Sequence, residues 1–190
     1  MNADVMRFLP PPFADAAEKI LHVVIETPKG SRYKYAWQPD SELFLLKRIL
    51  PAGMGFPMDF GFVPHTLADD GDALDAMLIT DEPIAVGALT LCRVLGIIEA
   101  EQTDEPGQEP FRNDRLICVP EYHPDYEHLH SILDLGKDLL SDLIRFFNFY
   151  RSRTGGSFKL IANRGPEAAL KTIHKAMKTY KDASASGTSL

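Results

Sequence analysis

Cysteine is scarce in this chain: there are two in 190 residues, Cys92 and Cys118. Both lie in apolar, strand-like stretches, which excludes a disulfide framework and reads as small buried hydrophobes in a reducing compartment. Long apolar runs are missing as well, and no segment reaches the length needed to span a bilayer. Residues 1–15 hold one Arg and three successive prolines instead of a basic stretch followed by an apolar one, so no secretory leader is expected and the cytoplasm is the expected compartment. A basic excess is lacking too. Twenty Lys and Arg against 27 Asp and Glu leave a net charge of −7, the wrong sign for a general nucleic-acid binder. There are no internal repeats. The remaining composition, 45% hydrophobic and 25% charged, is that of a soluble globular domain. The length predicts one domain over residues 1–182, with a Ser/Ala/Gly tail over 183–190 read as disordered.

Residues 1–12 read as a loose lead-in, because Pro10-Pro11-Pro12 bars regular structure. A short helix is expected over 13–20 and a strand over the β-branched run 21–26. After turn chemistry at Pro28-Lys29-Gly30-Ser31, a second strand over 33–37 makes a hairpin with the first. Further strands are expected over 43–50, 84–86, 90–100 and 115–120, with a polar loop over 102–113. The second half turns helical. Residues 134–153 carry Leu135, Leu139, Leu143 and Phe146 at helical spacing, and Gly155-Gly156 stops the helix. A short strand over 158–161 precedes a last helix opened by Pro166, with Leu170, Ile173, Met177 and Tyr180 on one face. Strands first and helices last predict an α+β fold, a curved sheet or small barrel with helices packed outside.

The most informative segment is Asp70-Gly71-Asp72-Ala73-Leu74-Asp75. Three carboxylates this close repel one another unless a cation sits among them, and hard divalent ions favour such oxygen clusters and share them with substrate phosphates. An aromatic run from Phe56 to His65 precedes the motif and the apolar run Ala76-Met77-Leu78-Ile79 follows, so the acids are held between a strand or turn and a buried strand. An EF-hand does not fit: Asp75 occupies the sixth position, where glycine is required. A phosphate-handling site also needs cations for phosphoryl oxygens. Lys34, Arg48 and Arg115 fall in strand-like settings, and Tyr150-Arg151 on the helix.

Taken in order, Val24-Ile25-Glu26, Tyr33-Lys34-Tyr35, Arg48, Phe56-Pro57 to Gly61-Phe62, the three-acid motif, Asn113-Asp114-Arg115-Leu116, Phe146-Phe147 and Tyr150-Arg151 resemble the soluble family I inorganic pyrophosphatases. The resemblance implies an OB-like five-stranded β-barrel with flanking helices and Mg²⁺-dependent hydrolysis of pyrophosphate to two phosphates. It assigns Asp70, Asp72, Asp75 and Glu26 to metal, and Asp72 also to the general base. Lys34, Arg48, Tyr150, Arg115 and Arg151 become substrate binders, with Lys34, Arg48 and Tyr150 also counted in the catalytic set. It implies a homo-oligomer, hexameric among bacterial members.

The chain departs from the pattern in places. Ala36 stands where the family has Glu, Phe60 where it has Tyr, and Ala73 where Pro is common. Arg115 and Arg151 replace Lys, exchanging a point charge for a planar fork. By hand alignment two family acids fall on Gln102 and Asn113, with Glu101, Asp104 and Asp114 as nearby replacements. The alternatives to a pyrophosphatase are a phosphohydrolase acting on a larger phosphorylated compound and a non-catalytic phosphate-binding relative. His123, His128 and His130 lack the paired spacing of a zinc site and are read as surface residues ahead of a helix.

Overall fold

The computed structural model describes residues 6–17, 19–153 and 155–186. Ten strands and two helices follow one another: β1 (Phe13–Asp15), β2 (Ile20–Thr27), β3 (Tyr33–Gln38), β4 (Leu43–Ile49), β5 (Asp59–Phe62), β6 (Asp75–Leu78), β7 (Leu89–Thr103), β8 (Phe111–Arg112), β9 (Arg115–Pro120), α1 (Lys137–Ser152), β10 (Ser157–Arg164) and α2 (Pro166–Ser186). The fold is α+β. One mixed sheet runs β1-β2-β5-β6-β9-β7-β10, with β8 on β7, and a further pairing of β2 with β7 closes the strands β2, β5, β6, β9 and β7 into a ring. β3 and β4 form a separate two-stranded sheet.

Side chains alternate between the two faces of a strand, and here both faces are buried. Ala76, Leu78, Leu116 and Cys118 pack with Ala169, Leu170, Ile173 and Ala176 of α2. Met77, Ile117 and Val119, one residue out of step, pack with Leu143 and Phe147 of α1 and with Phe158 of β10. Each fully buried Leu, Ile or Met side chain contributes about 1.5–3 kcal/mol, and a one-residue slip in any of these strands exchanges the two cores. The two cysteines are buried thiols, and burial pushes Cys118 up to about 12.

Several elements differ from expectation. Residues 13–15 form β1, paired with β2 through Phe13 and Leu21, in place of the helix expected over 13–20. An eight-residue helix does not hold by itself, whereas an extended triproline feeds directly onto a strand edge. The hairpin of β2 with β3 does not form, because β2 already pairs with β1, β5 and β7; β3 pairs with β4 instead. Residues 84–86 make no strand, since the Ile84 N–H donates to the Asp59 carboxylate and Ala88 turns back on Ala85. β7 runs past residue 100 to Thr103, and the expected loop over 102–113 contains β8. The helix expected from 134 starts at Lys137, after a 3₁₀ turn over Ile132–Asp134 that Ser131 and Asp134 cap reciprocally. α2 continues to Ser186, into the stretch read as a tail; residues 187–190 lie outside the described residues, as do 1–5 of the expected lead-in.

Candidate active site

The acidic motif forms the connection between β5 and β6, and its backbone explains its shape. Gly71 has φ +89°, a left-handed conformation that a side chain resists. The Gly71 N–H donates to the Ala68 carbonyl at 3.1 Å and the Ala68 N–H to the Asp72 carbonyl at 2.8 Å. The Asp72 N–H donates to the Asp70 carboxylate at 3.2 Å. Beneath the loop, the buried Thr66 hydroxyl donates to the Val63 carbonyl at 2.6 Å and accepts from the Leu74 N–H at 2.9 Å. Asp75 opens β6, and the parallel register with β9 sets it beside Arg115. Motif spacing alone leaves that neighbour open.

One cavity of about 550 Å³ is lined by Glu26, Lys34, Arg48, Asp70, Asp72, Asp75, Arg115, Tyr150 and Arg151. Strands β2, β3, β4, β6 and β9, the acidic loop and the last turn of α1 thus deliver all nine expected side chains to one place. The acids are strained electrostatically. Burial first, then the charges of Asp75 and Asp72, lift Glu26 to about 7, against the Trp37 N–H that donates to its carboxylate at 2.7 Å and the charge of Lys34. Burial and the same two carboxylates lift Asp70 to about 6, opposed by the Asp72 N–H and by Arg115. These four carboxylates line one cavity without three of them closing to within 4.8 Å of one another; as oxygen donors with little neutralisation they are of the type that suits a hard divalent ion such as Mg²⁺.

The cations are arranged differently. Arg115 is 2% exposed. Its guanidinium donates to the Gln102 side-chain oxygen at 2.7 Å and the Asn113 carbonyl at 2.8 Å, and stands over the Phe147 ring at 4.5 Å. Its Nε lies 3.7 Å from Asp75. Burial pulls Arg115 below its ordinary value; Asp75 opposes this and Arg151 adds to it. Arg48 donates to the Tyr150 hydroxyl at 3.4 Å. Tyr150 is buried against Phe56 and Phe146, so Phe146, Phe147 and Tyr150 of α1 pack inward while Phe149 is exposed, and Tyr150 brings a hydroxyl to the cavity.

Gln102 and Asn113, where family acids were aligned, both line the cavity, but each serves as an acceptor for Arg115. Of the nearby acids, Asp104 lines the cavity and pairs with Arg151. Glu101 points to Lys159, and Asp114 takes the Ala100 N–H and Arg112. Asp104 is the acid that hand alignment left undecided; only the end of β7 settles its direction. Lys47 also lines the cavity and was missed, since an exposed strand lysine carries no distinguishing sequence signal. Among the described residues, Asp81, His123 and Asp125 have ligand atoms within 4.8 Å of one another, but none of the three lines this cavity. His123 binds Asp81 at 2.9 Å and stacks on Tyr126.

A family model described as inorganic pyrophosphatase matches residues 23–181. The chain is 33% identical to an inorganic pyrophosphatase of Synechocystis sp. over 162 residues, 85% of this chain and 92% of that protein. It is 37% identical to one from Streptomyces coelicolor over 161 residues, 84% and 95% of the two. The crystal structure of inorganic pyrophosphatase from Thermus thermophilus matches with a TM-score of 0.82 at 30% identity, covering 94% of this chain and 99% of that one.

Proposed function

The chain belongs to the inorganic pyrophosphatase family, and we propose that its cavity is where it hydrolyses inorganic pyrophosphate to two phosphates. The enzyme is an inorganic diphosphatase. The observation that carries the assignment to this cavity is its mixed charge: Glu26, Asp70, Asp72 and Asp75 share one space with Lys34, Arg48, Arg115 and Arg151. The finer reading of the fold takes the closed ring of β2, β5, β6, β9 and β7 as an OB-type barrel, with this cavity at its mouth.

Asp70, Asp72, Asp75 and Glu26 would hold Mg²⁺. When bound, divalent ions acidify water and offset the charge of phosphate oxygens. The chain's own groups then do the following. Asp72, next to Gly71 in the acidic turn, takes the proton as a water oxygen bonds to one phosphorus. The bridging P–O bond breaks, and the departing phosphate keeps that oxygen and its electron pair. Lys34, Arg48 and the Tyr150 hydroxyl bind phosphoryl oxygens, and their charge stabilises what accumulates on the transferring group. Arg115, locked by Gln102 and the Asn113 carbonyl, holds a fixed positive charge beside Asp75. Arg151, near enough to act on the Arg115 charge, is paired with Asp104. No described helix is long and apolar enough to cross a membrane; a cytoplasmic location and a homo-oligomer, hexameric by family resemblance, complete the reading.

The test is phosphate release from pyrophosphate with Mg²⁺, with chelator, and in Asp72→Asn. Metal-dependent turnover that drops by about 10²–10⁴-fold in the variant supports the roles given. Full turnover in Asp72→Asn removes Asp72 as the base, and no turnover by the wild type removes the cavity's assignment altogether.

A further inference from the structure

The wall formed by the β3–β4 hairpin carries one cation more than the reaction above uses. Lys34 pairs in register with Arg48, and Tyr35 pairs with Leu46, so Lys47 is the extra residue of a β-bulge on β4. In an unbroken strand Lys47 and Arg48 would point to opposite faces. A bulge re-aims one side chain and is a recurrent device beside active sites, and here both Lys47 and Arg48 line the cavity. Among the described residues, neither the Lys34 nor the Lys47 ammonium has a hydrogen-bond or ion-pair partner, and the Arg48 guanidinium bonds only Tyr150. None of the β3 and β4 residues that line the cavity is acidic; the Glu26 carboxylate of the neighbouring β2 accepts the Trp37 N–H. Ala36 also lines the cavity, opposite Leu45 and two residues beyond Lys34 on β3, at the position where the family pattern places Glu.

We propose that Lys47 forms an outer anion subsite and that the cavity accepts linear inorganic triphosphate as a second substrate. This rests on the hydrolase reading above. At about 550 Å³ the cavity lies within the roughly 300–1,000 Å³ of sites built for much larger ligands, which leaves space for a third phosphate beyond two. Water attacks the terminal phosphorus on the acidic side and gives its proton to Asp72. The adjacent P–O–P bond breaks, and the leaving pyrophosphate carries the bridging oxygen away along Lys34 and Arg48, its far phosphate against Lys47. The products are orthophosphate and pyrophosphate, the latter itself a substrate. Absence of the Glu at position 36 matters because a carboxylate there would neutralise Lys34 and repel the middle of the longer anion.

The experiment measures kcat/KM for pyrophosphate and for tripolyphosphate with Mg²⁺ in the wild type, Lys47→Ala and Ala36→Glu, each checked for native circular dichroism. The wild type turns over both. Lys47→Ala lowers the tripolyphosphate-to-pyrophosphate ratio about tenfold, the loss of one charge-assisted hydrogen bond at a partly solvated site, chiefly through KM. Ala36→Glu lowers the ratio in the same direction. A preparation that hydrolyses pyrophosphate but not tripolyphosphate, or a ratio that Lys47→Ala leaves unmoved, overturns the subsite alone. A wild type inactive on pyrophosphate overturns the underlying hydrolase reading.

Discussion

Removing one negative charge from the cavity stabilises the metal-free protein. In Glu26→Gln the perturbed group is the carboxylate that burial, Asp75 and Asp72 lift from 4.5 to about 7. The folded state therefore holds a proton that the unfolded chain has already released across that window, so wild-type stability falls as the pH rises from 4.5 to 7 and stays low above it. At about 1.4 kcal/mol per pH unit, the loss amounts to about 3 kcal/mol. Glutamine keeps an oxygen to accept the Trp37 N–H now bonded at 2.7 Å, so the substitution removes the charge and little else. With chelator at pH 8, Glu26→Gln is expected to be more stable than the wild type by about 2–3 kcal/mol, and at pH 4.5 equal to it. Asp70, lifted in the same direction, leaves a residual slope in the variant. Mg²⁺ reverses the order, because an ion that binds only the folded state stabilises it by mass action and the variant offers one ligand fewer. Urea unfolding at pH 4.5, 6 and 8, with chelator and with Mg²⁺, measures all of this. A variant less stable than the wild type at pH 8 without metal, or a pH slope identical in the two proteins, would refute the reasoning.

Other substitutions test the frame around the acids. Gln102→Leu leaves one N–H of the buried Arg115 without its acceptor and is expected to cost about 2 kcal/mol in chemical unfolding; no loss would mean water replaces the amide. Gly61→Ala places a Cβ 2.2 Å from the Val24 carbonyl oxygen, where β5 meets β2. About 3 kcal/mol of overpacking lowers Tm by roughly 10 °C in a thermal scan. Asp104→Ala removes one carboxylate partner of Arg151 and raises the Mg²⁺ needed for half-maximal turnover about tenfold; an unchanged requirement limits Asp104 to its pairing with Arg151.

Most strands and both helices were readable because each buries a periodic set of side chains, and period is a local property. The errors share one cause. Residues 13–15 became a strand, β3 left β2 for β4, and 84–86 stayed irregular because other segments had taken or vacated the relevant sheet edges. Edge occupancy is settled between strands far apart in the chain. The acidic motif and the cations before it were equally legible, since a divalent-ion site is written in closely spaced carboxylates. Lys47 was not, because one inserted residue opposite Lys34 and Tyr35 is invisible until the partner strand is known.

Chemistry that depends on residue type and short spacing was therefore present in the chain from the start: carboxylates at 70, 72 and 75 around a glycine that adopts positive φ, an acidic balance of −7, and two helical faces. Convergence was not. Glu26 meets Asp75, Arg115 meets Gln102, and Asp104 rather than Glu101 or Asp114 turns into the cavity only once β6 and β9 lie in parallel register and β7 runs on to residue 103. The interaction of two charges depends on their separation and surroundings, and neither quantity exists until the sheet has closed.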